Sequence, residues 1–271
     1  MHDLTKLLAG AETVVAEAAA RLVEMQHGPL RAQRKDLLDV VTEADHAAEE
    51  IVVTGLQRLT PDAGILAEER GTTAGRNGAQ WIIDPLDGTV NYASGLPWFS
   101  VSVAYQADGE VRLGLFDAPV ARIYGRYVEG RVATVDGKPA RVSQTRSLSD
   151  AVISVILTSH FSPEDVRKAA AIIARLGSTV RGVRIVVSGA LEMALVASAR
   201  LDAFVSLKAD VVSHAAATPL VRAGGGRVTR LDGTDSRIDD LEKIASNGLI
   251  HDELLAELRE ALREAPRETP R

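Results

Sequence analysis

One stretch constrains the fold more than any other: Trp81-Ile82-Ile83-Asp84-Pro85-Leu86-Asp87-Gly88-Thr89. The apolar run reads as a buried strand, and it leads straight into two carboxylates separated by a proline. Pro85 stiffens the turn and removes a backbone donor. Asp84 and Asp87 can then converge on one point, with the Leu86 carbonyl between them. Two carboxylates and a carbonyl are hard oxygen donors of the kind that hold Mg2+ or Mn2+. Gly88 lets the backbone come close to a ligand, and N–H groups at Gly88 and Thr89 could hold a phosphate. An Asp-Gly pair alone is an ordinary turn signal. The whole hexapeptide behind an Ile-Ile strand points instead to a ligand.

The rest of the chain supplies covering layers for such a strand. Leu4, Leu8, Val15, Ala18 and Leu22 recur at near-helical spacing. A second helix is expected from Glu43 to Leu59, with Thr42 as its N-cap and Glu43, Asp45, Glu49 and Glu50 placing negative charge in its first half. Short apolar runs at 64–67, 81–83, 101–104 and 111–115 read as strands, and Asp108-Gly109 and Asp136-Gly137 as hairpin turns. Beyond residue 150 strands and helices alternate. Strands are expected at 151–157, 203–207 and 227–229. Helices are expected from Ser162-Pro163-Glu164-Asp165 to Gly177 and at 188–198, 213–223 and 251–263. The whole reads as helices layered over two sheets, an α/β (α+β layered) arrangement. A boundary near 140–150 divides it into 1–145, an α+β half that binds metal and phosphate, and 146–264, an α/β half that contacts substrate. Residues 265–271 read as a loose polar tail.

Composition removes whole classes of chemistry. The 271 residues contain no Cys, so disulfides, zinc-thiolate sites, iron–sulfur clusters and a thiol nucleophile are out. Thirty-one basic residues against 37 acidic ones give a net charge of −6, which argues against a nucleic-acid partner. No run approaches the roughly 20 apolar residues of a membrane span. The first 25 residues mix charge with apolar side chains, so a signal peptide is not expected and a cytoplasmic location is.

Two further acidic elements could join Asp84 and Asp87. Glu68-Glu69 follows the short strand 64–67; read alone, it is a solvated strand end, but a metal site needs another carboxylate. Val41-Thr42-Glu43-Ala44-Asp45 is either a helix start with dipole-favouring acids or the source of Asp45 as a partner for the Thr89 hydroxyl.

These elements, with Val90-Asn91-Tyr92 and Gly95-Leu96-Pro97-Trp98-Phe99-Ser100-Val101-Ser102 behind them, resemble the motifs of the inositol monophosphatase family, part of the lithium-sensitive, magnesium-dependent phosphatase superfamily. The order and spacing are highly specific, and weaker similarity reaches Ala245-Ser246-Asn247. The resemblance implies an αβαβα sandwich of the sugar-phosphatase type, usually a homodimer, that hydrolyses small phosphomonoesters. It implies Glu68, Asp84 and the Leu86 carbonyl as ligands of a first metal, and Asp84 and Asp87 as ligands of a second. It also implies Gly88 and Thr89 as the phosphate cradle, and Glu68 with the Thr89–Asp45 pair as the groups that position and activate the attacking water. The chemistry stands on its own: Mg2+ neutralises charge on the phosphoryl oxygens and lowers the pKa of water, so no protein nucleophile is required.

The chain departs from that pattern in its second half. In Val212-Ser213-His214-Ala215-Ala216-Ala217, Ser213 stands where the family has the Asp that completes the second metal site, and Val212 where it has Trp. Ser213 would serve as a helix N-cap, Asp210 or His214 could take over the missing role, and Pro219 should kink or shorten the helix. Ser206 stands where inositol-preferring members carry an acid, which weakens the case for inositol phosphate. The expected function is a Mg2+-dependent phosphomonoesterase for a small sugar, cyclitol or nucleotide phosphate. The alternative is a relative that binds a phosphorylated ligand without hydrolysing it. Among the remaining residues, Lys35 could approach the anionic pocket and Trp98 is expected in the core. Gly224-Gly225-Gly226 reads as a helix stop, and Glu192 as ordinary helix surface.

Overall fold

The computed structural model describes residues 4–27, 32–34, 40–158 and 161–265, with only the backbone for 32–34 and 40–42. Lys35, the Thr42 side chain and residues 266–271 therefore lie outside the described residues. The chain opens with α1 (Leu4–Gln26), the strand pair β1 (Ala32–Arg34) and β2 (Val40–Thr42), and α2 (Glu43–Leu59). Then come β3 (Gly64–Ala67), β4 (Gly71–Thr73), β5 (Gln80–Asp87), the short α3 (Thr89–Ala93), β6 (Ser100–Ala107), β7 (Glu110–Ala118), β8 (Ile123–Val128), β9 (Thr134–Val135) and β10 (Lys138–Pro139). The second half holds β11 (Val152–Val155), α4 (Pro163–Gly177), β12 (Gly182–Arg184), α5 (Gly189–Ala197), β13 (Ala203–Ser206), α6 (Val211–His214) and α7 (Ala217–Ala223). It closes with β14 (Arg227–Thr229), β15 (Lys243–Ser246) and α8 (His251–Glu264).

Strands β3 to β10 form an eight-stranded sheet, β10-β9-β8-β7-β6-β5-β3-β4; strands β11 to β15 form a second, β12-β11-β13-β15-β14. Helices α1 and α2 bury Leu8, Val15, Leu22, Val52 and Leu56 against one face of the first sheet, around Trp81, Ile83 and Val103. Its other face presents Phe116 to α5 and α7, which also cover Phe204 and Ala245 of the second sheet. Helices α4 and α8 close the outer face of that sheet through Ile172, Leu176, Leu254 and Leu258. Five layers result, αβαβα, because each sheet is apolar on both faces and each face requires a helical cover.

Local signals explain many of the elements. Ser162 and Asp165 form a reciprocal capping box on α4, with Pro163 at its first position. Both predicted hairpin turns have two consecutive left-handed residues, Asp108-Gly109 (φ 54° and 78°) and Asp136-Gly137 (φ 52° and 71°), as tight antiparallel connections need.

Three expectations need correction. The helix expected over 213–223 is two helices: Asp210, not Ser213, caps α6 by accepting from the Ser213 amide (2.7 Å), and Ser213 lies inside it. Pro219 then falls in the first turn of α7, where its missing N–H would have had no helical partner. Trp98 is 41% exposed rather than in the core. Glu192 is not surface at all: it is 0% exposed on α5, where its carboxylate accepts from the Ser188 amide (3.1 Å) and the Ser154 hydroxyl. Helical periodicity missed it because α5 lies between two sheets and is buried nearly all round.

Candidate active site

Register builds the site. β3 and β5 run parallel, and Ala67 pairs with Ile83, so the next residues, Glu68 and Asp84, leave the same sheet edge side by side. Strand β5 continues through Pro85 to Asp87, with its pairing to β6 shifting register between Asp84 and Asp87. The second sheet contributes its own parallel pair, β11 and β13, whose C-terminal ends lead to Ile156 and Thr158 and to Lys208 and Asp210. The carboxyl ends of parallel strands are where ligand crevices form in open α/β sheets. Here one cavity of about 730 Å3 is lined by Glu68, Asp84, Asp87, Gly88 and Thr89 from the first half and by Ser206, Asp210, Ser213 and His214 from the second.

The residues singled out in the sequence meet as follows. The Thr89 hydroxyl lies 3.0 Å from Asp45 Oδ1 and 3.0 Å from the Leu86 carbonyl, so Asp45, buried at the start of α2, reaches the turn that follows β5. Gly88 is left-handed (φ 91°), and a Cβ there would stand 2.6 Å from the Trp98 carbonyl oxygen, so the turn into α3 accepts only glycine. Asp87 Oδ1 accepts from the Gly189 amide (3.1 Å), and Oδ2 from the Ser188 hydroxyl (2.7 Å) and the Ala190 amide (3.0 Å). The strand end of one sheet is thereby fastened to the start of α5. Glu69 and Arg70 give their amides to the buried Glu49 on α2 (3.0 and 3.4 Å), which fixes the backbone beside Glu68.

Ser213 has a specific place. Its hydroxyl lies 2.9 Å from Asp84 Oδ2 and 3.0 Å from Asp210 Oδ2, linking a carboxylate of each half. His214 Nδ1 is 3.1 Å from the Asp210 carbonyl, which can only accept, so Nδ1 carries the proton. Nε2 faces the Cα of Gly189, where a Cβ would stand 2.7 Å away. Burial also lowers the His214 pKa. Asp210, rather than His214, brings a donor oxygen to the acidic cluster.

Acidic residues outnumber the lysine in the lining, Lys208, whose ammonium lies 3.4 Å from Asp165. Burial, then the charges of Glu68, Asp87 and Asp210, hold the Asp84 carboxyl well above the usual range. Burial pushes Asp87 up to about 6, against the bonds from Ser188, Ala190 and Gly189. Among the described residues no three acidic or histidine side chains converge on one point at coordination distance. The donor chemistry nonetheless fits a hard dication: the carboxylates of Glu68, Asp84, Asp87 and Asp210 line one cavity.

The sequence reading missed Glu49, read only as helix charge, and missed that Ser188, Gly189 and Ala190 bind Asp87, since it expected the Ser188-Gly189 region only to bear on specificity. The Ser-Gly pair before an apolar helix was their one visible signal.

A profile of the inositol monophosphatase family matches residues 3–264. The chain belongs to that family. It is 37% identical over 222 residues to the fructose-1,6-bisphosphatase/inositol-1-monophosphatase of Thermotoga maritima, a match covering 82% of this chain and 83% of the relative. It is 35% identical over 251 residues to the histidinol-phosphatase of Mycobacterium tuberculosis, covering 90% and 95%. Among solved structures, a Thermotoga maritima IMPase superposes with a TM-score of 0.86 at 33% identity, covering 94% of this chain and 97% of that one. The fold is that of the inositol monophosphatases, and the enzyme class is phosphoric monoester hydrolase.

Proposed function

We propose that the protein is a Mg2+-dependent phosphomonoesterase acting on a small phosphorylated metabolite. One observation carries the reading: Thr89, hydrogen-bonded to Asp45, lines the same cavity as Glu68, Asp84 and Asp87. Glu68, Asp84, the Leu86 carbonyl and Asp87 would hold the metal, with Asp210 supplying the charge that Ser213 lacks. Bound Mg2+ would neutralise the phosphoryl oxygens and lower the pKa of the attacking water.

The chain's own groups do the rest. Gly88 and Thr89 cradle the phosphate at the turn into α3. Asp45 accepts the Thr89 hydroxyl proton and so leaves that oxygen's lone pairs aimed at a neighbour. With Glu68, this pair positions a water and takes its proton. Residues 1–145 provide most of the metal and phosphate contacts, and residues 146–264 add Asp210 and contact the leaving alcohol.

A second reading, a binder of phosphorylated ligands, draws on the neutral Ser213. The experiment is phosphate release from a panel of phosphomonoesters with Mg2+ and with excess EDTA. Metal-dependent release supports hydrolysis. Calorimetric binding without release from any ester supports the binder.

A further inference from the structure

Beyond the acidic donors, the cavity wall is largely carbon. Val90, Ile156, Val187, Val211, Val212 and Leu241 line it. Leu241 is 61% exposed and Val90 44%, open to water at the mouth. The wall is built rather than incidental. Val187 is held at φ 63°, a conformation that β-branched residues rarely adopt. Asn91 Nδ2 holds it there by donating to the carbonyls of Val186 (2.8 Å) and Val187 (3.2 Å).

Polar capacity on this side is short. The Thr89 hydroxyl gives its proton to Asp45 and keeps its lone pairs for the attacking water, Lys208 pairs with Asp165 (3.4 Å), and Asp210 accepts from Ser213. Among the described residues, two buried atoms of the lining have no hydrogen-bond partner: His214 Nε2, which is turned to the Cα of Gly189, and the Oγ of Ser206, 1% exposed at the end of β13. A buried hydroxyl without a partner is costly, and a ligand group that meets it recovers that cost.

We infer that the leaving alcohol is largely apolar, with an aromatic or heteroaromatic body and a single polar group that meets Ser206 Oγ. It is not a polyhydroxylated ring. The inference rests on the phosphomonoesterase reading of this site. Several ring hydroxyls would lose water against Ile156, Val212 and Leu241 and find no partners there. A flat apolar body would bury the same surface with gain, and about 730 Å3 holds a ring and a phosphate together. The bond change is that of any monoester hydrolysis: the bond from phosphorus to the alcohol oxygen breaks, the water oxygen joins phosphorus, and the alcohol leaves with a proton.

The test compares phenethyl phosphate with myo-inositol 1-phosphate. Both are alkyl esters, so intrinsic reactivity does not decide between them. Phosphate release with Mg2+ gives kcat/KM, and calorimetry gives affinity. The expected result is at least a tenfold preference for phenethyl phosphate, reduced by Leu241→Asn and Val212→Asn through KM. Leu241 is exposed, so its variant folds. Preference for the inositol ester, or a preference that neither variant alters, overturns the inference while leaving the phosphomonoesterase reading in place. If neither ester is hydrolysed, that reading fails and affinity decides the inference. Tighter binding of phenethyl phosphate upholds it; equal binding, tighter binding of the inositol ester or no binding overturns it.

Discussion

Asp87 and Ser188 meet across the two halves of the molecule: the Ser188 hydroxyl donates to Asp87 Oδ2 at 2.7 Å, from a position 101 residues away. With the Gly189 and Ala190 amides on the same carboxylate, one side chain ties the strand end of the first sheet to α5, the helix layer between the sheets.

This double role shapes the first prediction. Asp87→Asn removes a negative donor, and its amide group turns an acceptor into a donor facing other donors. Phosphate release should fall about 100-fold or more, since even outer-shell partners of metal ligands cost up to that. Stability should fall by about 1–3 kcal/mol as amides lose their acceptor. The variant should still fold, which circular dichroism and urea titration would check. Wild-type turnover in this variant would remove Asp87 from the proposed site.

Thr89 tests the water-positioning pair. Thr89→Ala takes away the hydroxyl between Asp45 and the Leu86 carbonyl and should lower kcat about 10–100-fold. Thr89→Ser keeps the hydroxyl and should retain most of the activity. Equal loss in both variants would mean that the methyl group's packing, not the hydroxyl, is what matters.

The Ser213 link sets the metal prediction. Ser213→Asp adds a carboxylate beside Asp84 and Asp210 and should tighten Mg2+ or Mn2+ binding roughly tenfold, while Asp210→Asn should weaken it about 10–100-fold. Calorimetry on the protein without substrate reads both. Unchanged affinity in Asp210→Asn would show that Asp210 only caps α6. Without metal, Ser213→Asp should be less stable than wild type, because like charges would then crowd one cavity wall.

His251 gives a pH prediction away from the site. It is buried between the hydroxyls of Thr229 (2.8 Å) and Ser246 (2.7 Å). Thr229 donates its own proton to the Arg230 carbonyl, so Nε2 donates to Thr229 and Nδ1 accepts from Ser246. Burial, and then the Arg227 charge, lower its pKa from 6.5 to about 4. In that window the unfolded chain binds a proton that the folded chain refuses. Stability is therefore intact above pH 6.5 and lost as pH falls from 6.5 towards 4, by roughly 2 kcal/mol. Urea titrations at pH 7 and pH 4 should show this loss reduced in His251→Gln.

Features encoded over a few consecutive residues can be read directly from the chain. The strand Trp81-Ile82-Ile83, the Asp84-to-Thr89 turn, the capping box of α4 and the Asp-Gly hairpins were legible because hydrophobic period, φ restriction and local side-chain bonds act at short range. The start of α2 left Asp45 open between a helix-dipole acid and a partner of Thr89; the structure places Asp45 Oδ1 3.0 Å from the Thr89 hydroxyl. The remaining features depend on how distant segments pack together. Parallel pairing of β3 with β5 set Glu68 beside Asp84. The sandwiching of α5 buried Glu192 and aimed Ser188, Gly189 and Ala190 at Asp87. The break between α6 and α7 moved the cap from Ser213 to Asp210 and freed the Ser213 hydroxyl to bridge two carboxylates. A spacing in sequence carries no information about which strand edges or helix ends will face each other; that is settled by burying apolar faces in layers, and the polar contacts follow from it.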